Sequence, residues 1–254
     1  MQPLGNDTAY ELAIRFHGDL PLFLRKPHES GTVRRVFREK TSVKDAIESC
    51  GVPHPEIDLV LVNRAPVDFG HQLVANACID VFPVGAVPPE HTGHLLQRRS
   101  IARFVADGHL GKLARDLRLL GFDLRYAADP EDAQLVAIAT KDERALLTRD
   151  RRLLMHAAVR DGYCPRSDTP TVQTLEVIRR FQLASAIDPL TRCIRCNGSL
   201  APVEKAAVFD RLEPLTRIFY DDFRECEECR QIYWRGTHSS KLNARIDAIL
   251  AAVR

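Results

Sequence analysis

Two Cys-x-x-Cys pairs constrain this 254-residue chain more than any other feature. Cys193-Ile194-Arg195-Cys196 and Cys226-Glu227-Glu228-Cys229 are separated by 29 residues, 197–225. Each pair presents two thiols from one tight turn, and two such turns can close a tetrahedral four-thiolate Zn²⁺ site. The chain must then return across those 29 residues, which a long hairpin-like middle achieves. A closed four-sulfur site has no open coordination position, so it serves as scaffold and not as catalyst. Redox exchange and disulfides are the competing uses of such pairs. Seven cysteines, with Cys50, Cys78 and Cys164 isolated, favour a reducing cytoplasm and a metal. The isolated three read as small buried hydrophobes.

Upstream, residues 9–84 alternate strand-like runs with one short helix. AYELAIRFH and TVRRVFRE are rich in β-branched and aromatic residues, as are IDLVLVN and ACIDVFPV. Between them SVKDAIESCG predicts a helix, with Ser42 as cap, Asp45 three residues on and Gly51 past its end. GAVPPEHTGHLLQ, residues 85–97, reads as a linker from its Gly, Pro-Pro and polar content. Residues 101–184 repeat strand and helix, which argues for a parallel sheet with helices on both faces. Leu110, Leu113, Leu117 and Leu120 mark one face of the first helix there. The expected organisation is α/β overall: 1–85, a linker at 86–97, a sheet domain at 98–190, and a cysteine-bearing segment with a last helix at 191–254.

The acids of the middle domain carry the chemistry. In an open parallel sheet, ligands gather at the carboxyl ends of the strands. Asp107 follows the first strand of this domain, Asp150 follows the third by two residues, and Asp132 starts the second helix. Two bare carboxylates ~4 Å apart repel by about 4 kcal/mol at an effective dielectric of ~20, so convergence would require a proton or a cation. Oxygen donors suit Mg²⁺ or Mn²⁺, whose bound water can attack a phosphodiester. Each acid has a plainer reading as a helix cap or turn residue, Asp132 most of all. The run Thr148-Arg149-Asp150-Arg151-Arg152 sets the last acid among guanidinium groups able to pair with phosphate. Arg115 and Arg118, three apart on one helix, extend that basic character.

FVADGHLGKLARDLRLLGFD, DPEDAQLVAIA and ERALLTRDRRLL resemble the Mut-seven carboxy-terminal ribonuclease domain, a branch of the PIN-like nucleases, over about residues 100–240. The segment before it is similar to β-grasp, ubiquitin-like proteins of the sulfur-carrier branch, through its strand order and the turn Leu61-Val62-Asn63-Arg64-Ala65-Pro66-Val67. Sulfur carriers act through a free terminal diglycine. Here Val84-Gly85-Ala86-Val87 continues into the chain, so this segment is expected to bind rather than to carry sulfur. The resemblance implies a β-grasp domain, then a PIN-like sheet domain, then a zinc ribbon. It implies a metal-dependent ribonuclease that leaves a 5′-phosphate, with Asp107, Asp132 and Asp150 as catalytic Mg²⁺ or Mn²⁺ ligands. Arg115, Arg118, Arg149, Arg151 and Arg152 would then bind RNA, with tRNA one plausible target. Asp129 and Asp161 are candidates for a fourth acid. The resemblance also assigns Tyr233, Trp234, Arg235 and His238 to the ribbon tail, where stacking on bases or packing on the ribbon are both open. Arg144 is a candidate for a structural ion pair. The alternative is a non-catalytic adaptor that binds RNA or docks a protein partner through the β-grasp domain.

The charge is consistent with either. Residues 1–97 hold 9 basic and 12 acidic side chains, residues 98–190 hold 16 and 13, and residues 191–254 hold 11 and 9. A net charge of +2 does not suit indiscriminate polyanion binding. No apolar run reaches the roughly 18 residues of a membrane span, and the N-terminus lacks the pattern of a secretory signal, so a cytoplasmic protein with no membrane partner is expected.

Overall fold

In a computed structural model, residues 9–25, 31–234 and 240–253 are described. They form two compact units, 1–98 with 150–164, and 99–149 with 165–254.

The first unit is a mixed, β-grasp-like sheet of five strands. Their order is Thr32–Phe37, Tyr10–Phe16, Ala77–Pro83, Ile57–Val62, Ala65–Val67. Tyr10–Phe16 runs parallel to Ala77–Pro83, and the other neighbours are antiparallel. The period-2 pattern of YELAIRF explains the edge of the core: Tyr10, Leu12, Ile14 and Phe16 point inward. Ile57–Val62 is buried along its whole length, as its continuous apolar run requires. The helix Val43–Ser49 starts as expected, with Ser42 Oγ accepting from the Asp45 N–H at 3.0 Å, and it buries Val43, Ala46 and Ile47. Asn63 and Arg64 take positive φ in the turn that leads to Ala65–Val67.

The stretch expected as a linker ends fastened to this unit. It contains a short 3₁₀ helix, Pro89–His94. Gln97 is buried, its amide donates to the carbonyls of His54 and Ile57, and its N–H donates to Asp58. A second departure is larger. Residues 150–164, expected inside the sheet domain, belong to the first unit. Asp161 pairs with Arg98, His54 Nε2 bonds the Val159 carbonyl at 2.7 Å, and Glu56 accepts from the Cys164 N–H at 2.6 Å. The helix that opens this segment is short, Arg151–Leu154. Of the isolated cysteines, Cys50 and Cys164 are buried as expected, but Cys78 is exposed, because it alternates with the buried Ile79 near the start of Ala77–Pro83.

The second unit holds three parallel strands in the order Ala145–Leu147, Arg103–Ala106, Asp123–Tyr126. Phe104, Val105, Leu124 and Leu146 are fully buried in it. Helix Gly111–Leu119 lies against Pro170–Phe181, and helix Asp132–Lys141 lies against Arg103–Ala106 and Ala145–Leu147. Leu110, Leu113, Leu117 and Leu120 are all buried, which matches the helical stripe. Gly121 ends that helix at φ +95°, where a Cβ would sit 2.2 Å from the Asp188 carbonyl oxygen.

Its cysteine-bearing part is a three-stranded antiparallel sheet, Leu200–Val203, Phe223–Cys226 and Ile232–Trp234. The hairpin-like middle is present, but two short helices, Lys205–Val208 and Pro214–Phe219, join its first two strands. Val208, Leu212, Phe223 and Ile232 form its small core. No helix among the described residues is long and apolar enough to cross a membrane.

Candidate functional site

The central strand Arg103–Ala106 has a neighbour on each side. The chain leaves it for Asp123–Tyr126 and then crosses back to Ala145–Leu147. The carboxyl end of the central strand is thus where the strand order reverses, the position at which open α/β sheets take up ligands. Asp107 stands there. Its N–H donates to the Leu147 carbonyl at 3.0 Å, and its Oδ2 accepts from the Thr148 hydroxyl at 2.8 Å. Thr148 is fully buried and Asp107 half-buried. This carboxylate makes no side-chain cap on the 3₁₀ turn that follows it, so its orientation comes from the third strand.

The loop toward Asp132 is held against the same turn. The Tyr126 hydroxyl donates to the Gly108 carbonyl at 2.9 Å. A Cβ on Gly108 would meet the Ala128 carbonyl oxygen at 2.4 Å, so only glycine permits this approach. Asp132 is exposed at the first position of its helix. The residue at the N-cap is Glu131, not Asp132, so the capping explanation of Asp132 does not apply.

Asp150 does act as a cap. Its Oδ1 accepts from the N–H groups of Arg152 at 2.7 Å and Leu153 at 3.3 Å, at the start of Arg151–Leu154 in the first unit. Capping and metal ligation are compatible, because a carboxylate has a second oxygen.

The arginines divide into two kinds. Arg118 is buried, and its guanidinium donates to the carbonyls of Leu124, Ile194 and Arg195. Burial lowers its pKa, while Cys193, Cys196 and Asp123 favour its charge. It holds the first cysteine turn to the sheet edge. Arg115, three residues earlier, is exposed. Arg149 is paired with Asp168, but both side chains are largely solvent-exposed, and such pairs contribute at most about 1 kcal/mol. Arg151 donates to the Phe23 and Leu22 carbonyls and lies 5.2 Å from the Phe23 ring centre. Its guanidinium is engaged within the first unit. Arg152 is exposed.

Arg144 forms the structural pair anticipated for it. It is buried and grips Asp123 with two bonds of 2.8 and 2.9 Å. Asn197 adds a third at 2.7 Å and also accepts from the Leu124 N–H. Burial alone would raise the Asp123 pKa, but the bonds from Arg144 and Asn197 overcome it and hold the carboxyl at about 2. Asn197 directly follows Cys196, so the same residue ties the cysteine turn to the strand Asp123–Tyr126. Sequence reading missed Asp123 and Asn197; the Asn beside a knuckle was the available signal. Of the candidate fourth acids, Asp129 is exposed and Asp161 is buried in its pair with Arg98.

The four cysteines converge. Among the described residues, Cys193, Cys196, Cys226 and Cys229 form the group of metal-type side chains whose ligand atoms all lie within 4.8 Å of one another. Asp107 and Asp132 form no such group. The Cys193–Cys229 and Cys196–Cys226 sulfurs are 3.6 and 3.4 Å apart. That is far beyond a disulfide bond and close to the about 3.8 Å edge of a tetrahedron with Zn–S of about 2.3 Å. The donor set fits a soft cation: burial, with the neighbouring sulfurs adding to it, pushes the Cys196 thiol up, and a bound cation would offset that cost. N–H groups of Gly198 and Cys229 point at the Cys196 and Cys226 sulfurs. The Tyr233 hydroxyl lies 3.1 Å from the Cys193 sulfur and accepts from the Ile194 N–H. Trp234 packs against Phe223 and Tyr220 inside the ribbon. Arg235 and His238 lie outside the described residues.

The cysteine cluster could bind zinc; the Asp107 corner is the reactive candidate. No curated protein matches the chain. Family models do: the Mut7-C ubiquitin domain matches residues 9–87, and the Mut7-C RNAse domain matches residues 102–246. A ribonuclease-family match over more than half of the chain, on a parallel sheet with an acid at its switch point and a four-cysteine ribbon, places this protein in the Mut7-C RNAse domain family, with a Mut7-C ubiquitin domain ahead of it.

Proposed function

We propose that this protein is a divalent-metal-dependent, PIN-like ribonuclease. Asp107, Asp132 and Asp150 would hold Mg²⁺ or Mn²⁺, and Arg149, Arg152 and Arg115 would hold RNA phosphates. The observation that carries the reading is the bond from Thr148 to Asp107 at the strand-order reversal. It orients one carboxylate through a neutral donor. Asp150 follows Thr148 by two residues, so the same strand end supplies a second acid.

The donor set suits a hard cation. Mg²⁺ needs only one or two carboxylates and keeps several waters, so the acids need not be packed as closely as the cysteines are. When bound, such a cation lowers the pKa of a coordinated water and generates a nucleophile at neutral pH. The chain's own part is positional. Thr148 orients Asp107, Gly108 and Tyr126 press the Asp132 loop toward it, and the exposed arginines meet phosphate. Zn²⁺ in the Cys193, Cys196, Cys226 and Cys229 cluster would be structural. RNA is the proposed substrate, with tRNA the first class to try, and the ubiquitin-like unit is the proposed docking element for a protein partner.

The test is cleavage of labelled RNA by the full chain with Mn²⁺, with Ca²⁺, and with neither. Cleavage that requires Mn²⁺ or Mg²⁺ and disappears in Asp107→Asn supports the reading. Cleavage equal in that variant overturns it, and RNA binding without cleavage under any metal favours the adaptor.

A further inference from the structure

We propose that the second unit carries a nucleotide subsite in a cavity of about 600 Å³ beside the first cysteine turn, lined by Arg115, Arg118, Arg195, Tyr126, Tyr233 and Gln231, which seats one phosphate-linked nucleotide of the RNA strand. This deepens the ribonuclease reading and rests on it for the identity of the strand.

The chemistry of the lining selects the ligand. Three of the residues are arginines, and among the described residues that line the cavity none carries a carboxylate. Arg118 is committed to carbonyls and lies beside the thiols, where its charge offsets theirs. Arg115 and Arg195 are different: both are exposed, and neither makes an ion pair with any described residue. They arrive from separate elements, Arg115 from helix Gly111–Leu119 and Arg195 from within the Cys193–Cys196 turn. Two unpaired guanidinium groups on one apolar-walled cavity make a site for an anion, and their fork geometry matches phosphate. Gly111, the first residue of that helix, also lines the cavity, and the helix has no side-chain cap.

The remaining wall suits a base. Tyr126 and Tyr233 supply aromatic faces, Ile194 and Leu242 aliphatic ones, and Gln231 a donor and an acceptor able to read a base edge. Both tyrosines have their hydroxyls fixed, Tyr126 on the Gly108 carbonyl and Tyr233 on Cys193 and Ile194, so their rings are held before any ligand arrives. Stacking on a fixed ring is sequence-tolerant, since every base has a π-face. The volume lies in the range of small-molecule sites and accommodates a nucleotide.

Tyr126 also places the cavity. Its hydroxyl bonds the carbonyl of Gly108, the residue that follows Asp107, and so ties the cavity wall to the turn that carries the proposed reactive acid. The subsite would fix the register of the strand and leave the chemistry to the acids. Its second wall is the cysteine turn, which gives the ribbon a role in RNA binding beyond scaffolding.

The test is a fluorescence-anisotropy titration of a 5′-fluorescein-labelled single-stranded RNA decamer. It uses the zinc-loaded full chain without added Mg²⁺ or Mn²⁺, over a range of KCl concentrations. Arg115→Ala/Arg195→Ala should weaken binding at least ~10-fold and lower the salt slope by about 1.4, two phosphates at about 0.7 each for a single strand. Zinc content and thermal unfolding of the variant should match wild type, since both side chains are exposed. In competition, 5′-AMP should displace the decamer at lower concentration than inorganic phosphate or adenosine. Unchanged affinity and slope in the double variant would overturn the proposal, and so would equal competition by phosphate and 5′-AMP. If binding follows the arginines but wild type does not cleave with Mn²⁺, the nuclease reading falls and the subsite stands. If cleavage depends on Asp107 while the arginine variant binds as wild type, the subsite alone falls.

Discussion

The Thr148 hydroxyl donates to the Oδ2 of Asp107 at 2.8 Å, across the carboxyl ends of two adjacent parallel strands. Thr148 is fully buried and Asp107 half-buried, so a fixed donor orients a carboxylate that still reaches solvent. Thr148→Val keeps the shape and removes the donor. Loss of one buried hydrogen bond should destabilise the fold by about 1 kcal/mol. Cleavage should fall at least ~10-fold, because the acid is no longer oriented. Melting curves beside a Mn²⁺-dependent cleavage assay separate the two effects; unaltered cleavage would remove Thr148 from the site.

Gly108→Ala tests the loop contact. The added Cβ would sit 2.4 Å from the Ala128 carbonyl oxygen, a backbone atom that cannot swing away. The Asp107 turn and the Asp132 loop must separate. A cost of about 1–3 kcal/mol from overpacking is expected, together with loss of cleavage. A variant as stable and as active as wild type would show that the two loops move apart freely.

The anchor between strand Asp123–Tyr126 and the cysteine turn makes a pH prediction. Asp123 is held at about 2, below its ordinary 3.8, by Arg144 and Asn197 working against burial. A depressed carboxylate contributes stability that is fully present above its unfolded pKa and is lost as pH falls through the folded one. The contribution, on the order of 2 kcal/mol, should therefore be intact at pH 6 and drain away between about pH 4 and pH 2. Asp123→Asn should flatten that part of the wild-type stability profile. Superimposable acid-unfolding curves for the two proteins would contradict the assignment.

Zinc removal gives a further expectation. Fresh protein should contain one Zn²⁺ per chain. Structural zinc contributes on the order of 10 kcal/mol to such a ribbon. Chelation should abolish hydrogen-exchange protection over residues 193–234 while leaving the strand Tyr10–Phe16 protected. Less than half an equivalent of zinc, or protection unchanged on chelation, would contradict a structural role.

How much of this was legible in the sequence depends on how local its cause is. The paired cysteines, the leucine stripe 110–120 and the Ser42 cap are short-range patterns, and each appears where its spacing places it. The partners of Arg118 were not legible, because helical spacing says which residues share a face, not what covers that face. Here the Cys193–Cys196 turn, 76 and 77 residues further along at its carbonyls, covers it. The assignment of residues 150–164 to the first unit has no local signature either. It rests on single partners more than a hundred residues away, such as His54 to Val159 and Glu56 to Cys164. Arg151 followed the same route: its bonds are to Leu22 and Phe23, which no reading of TRDRR could reveal.

Asp150→Asn is the most direct measurement of the central claim. Asp150 caps the helix Arg151–Leu154 through Oδ1, and asparagine caps helices about as well as aspartate. The substitution therefore keeps the fold and removes the negative charge a divalent cation requires. The measurement is the rate of Mn²⁺-dependent RNA cleavage by Asp150→Asn, with its melting temperature recorded alongside. The account predicts a loss of at least ~100-fold in rate with a melting temperature within about 3 °C of wild type, the scale of a sub-kcal change. Wild-type cleavage by Asp150→Asn would show that this residue is a helix cap and nothing more, and would contradict the nuclease assignment at this site.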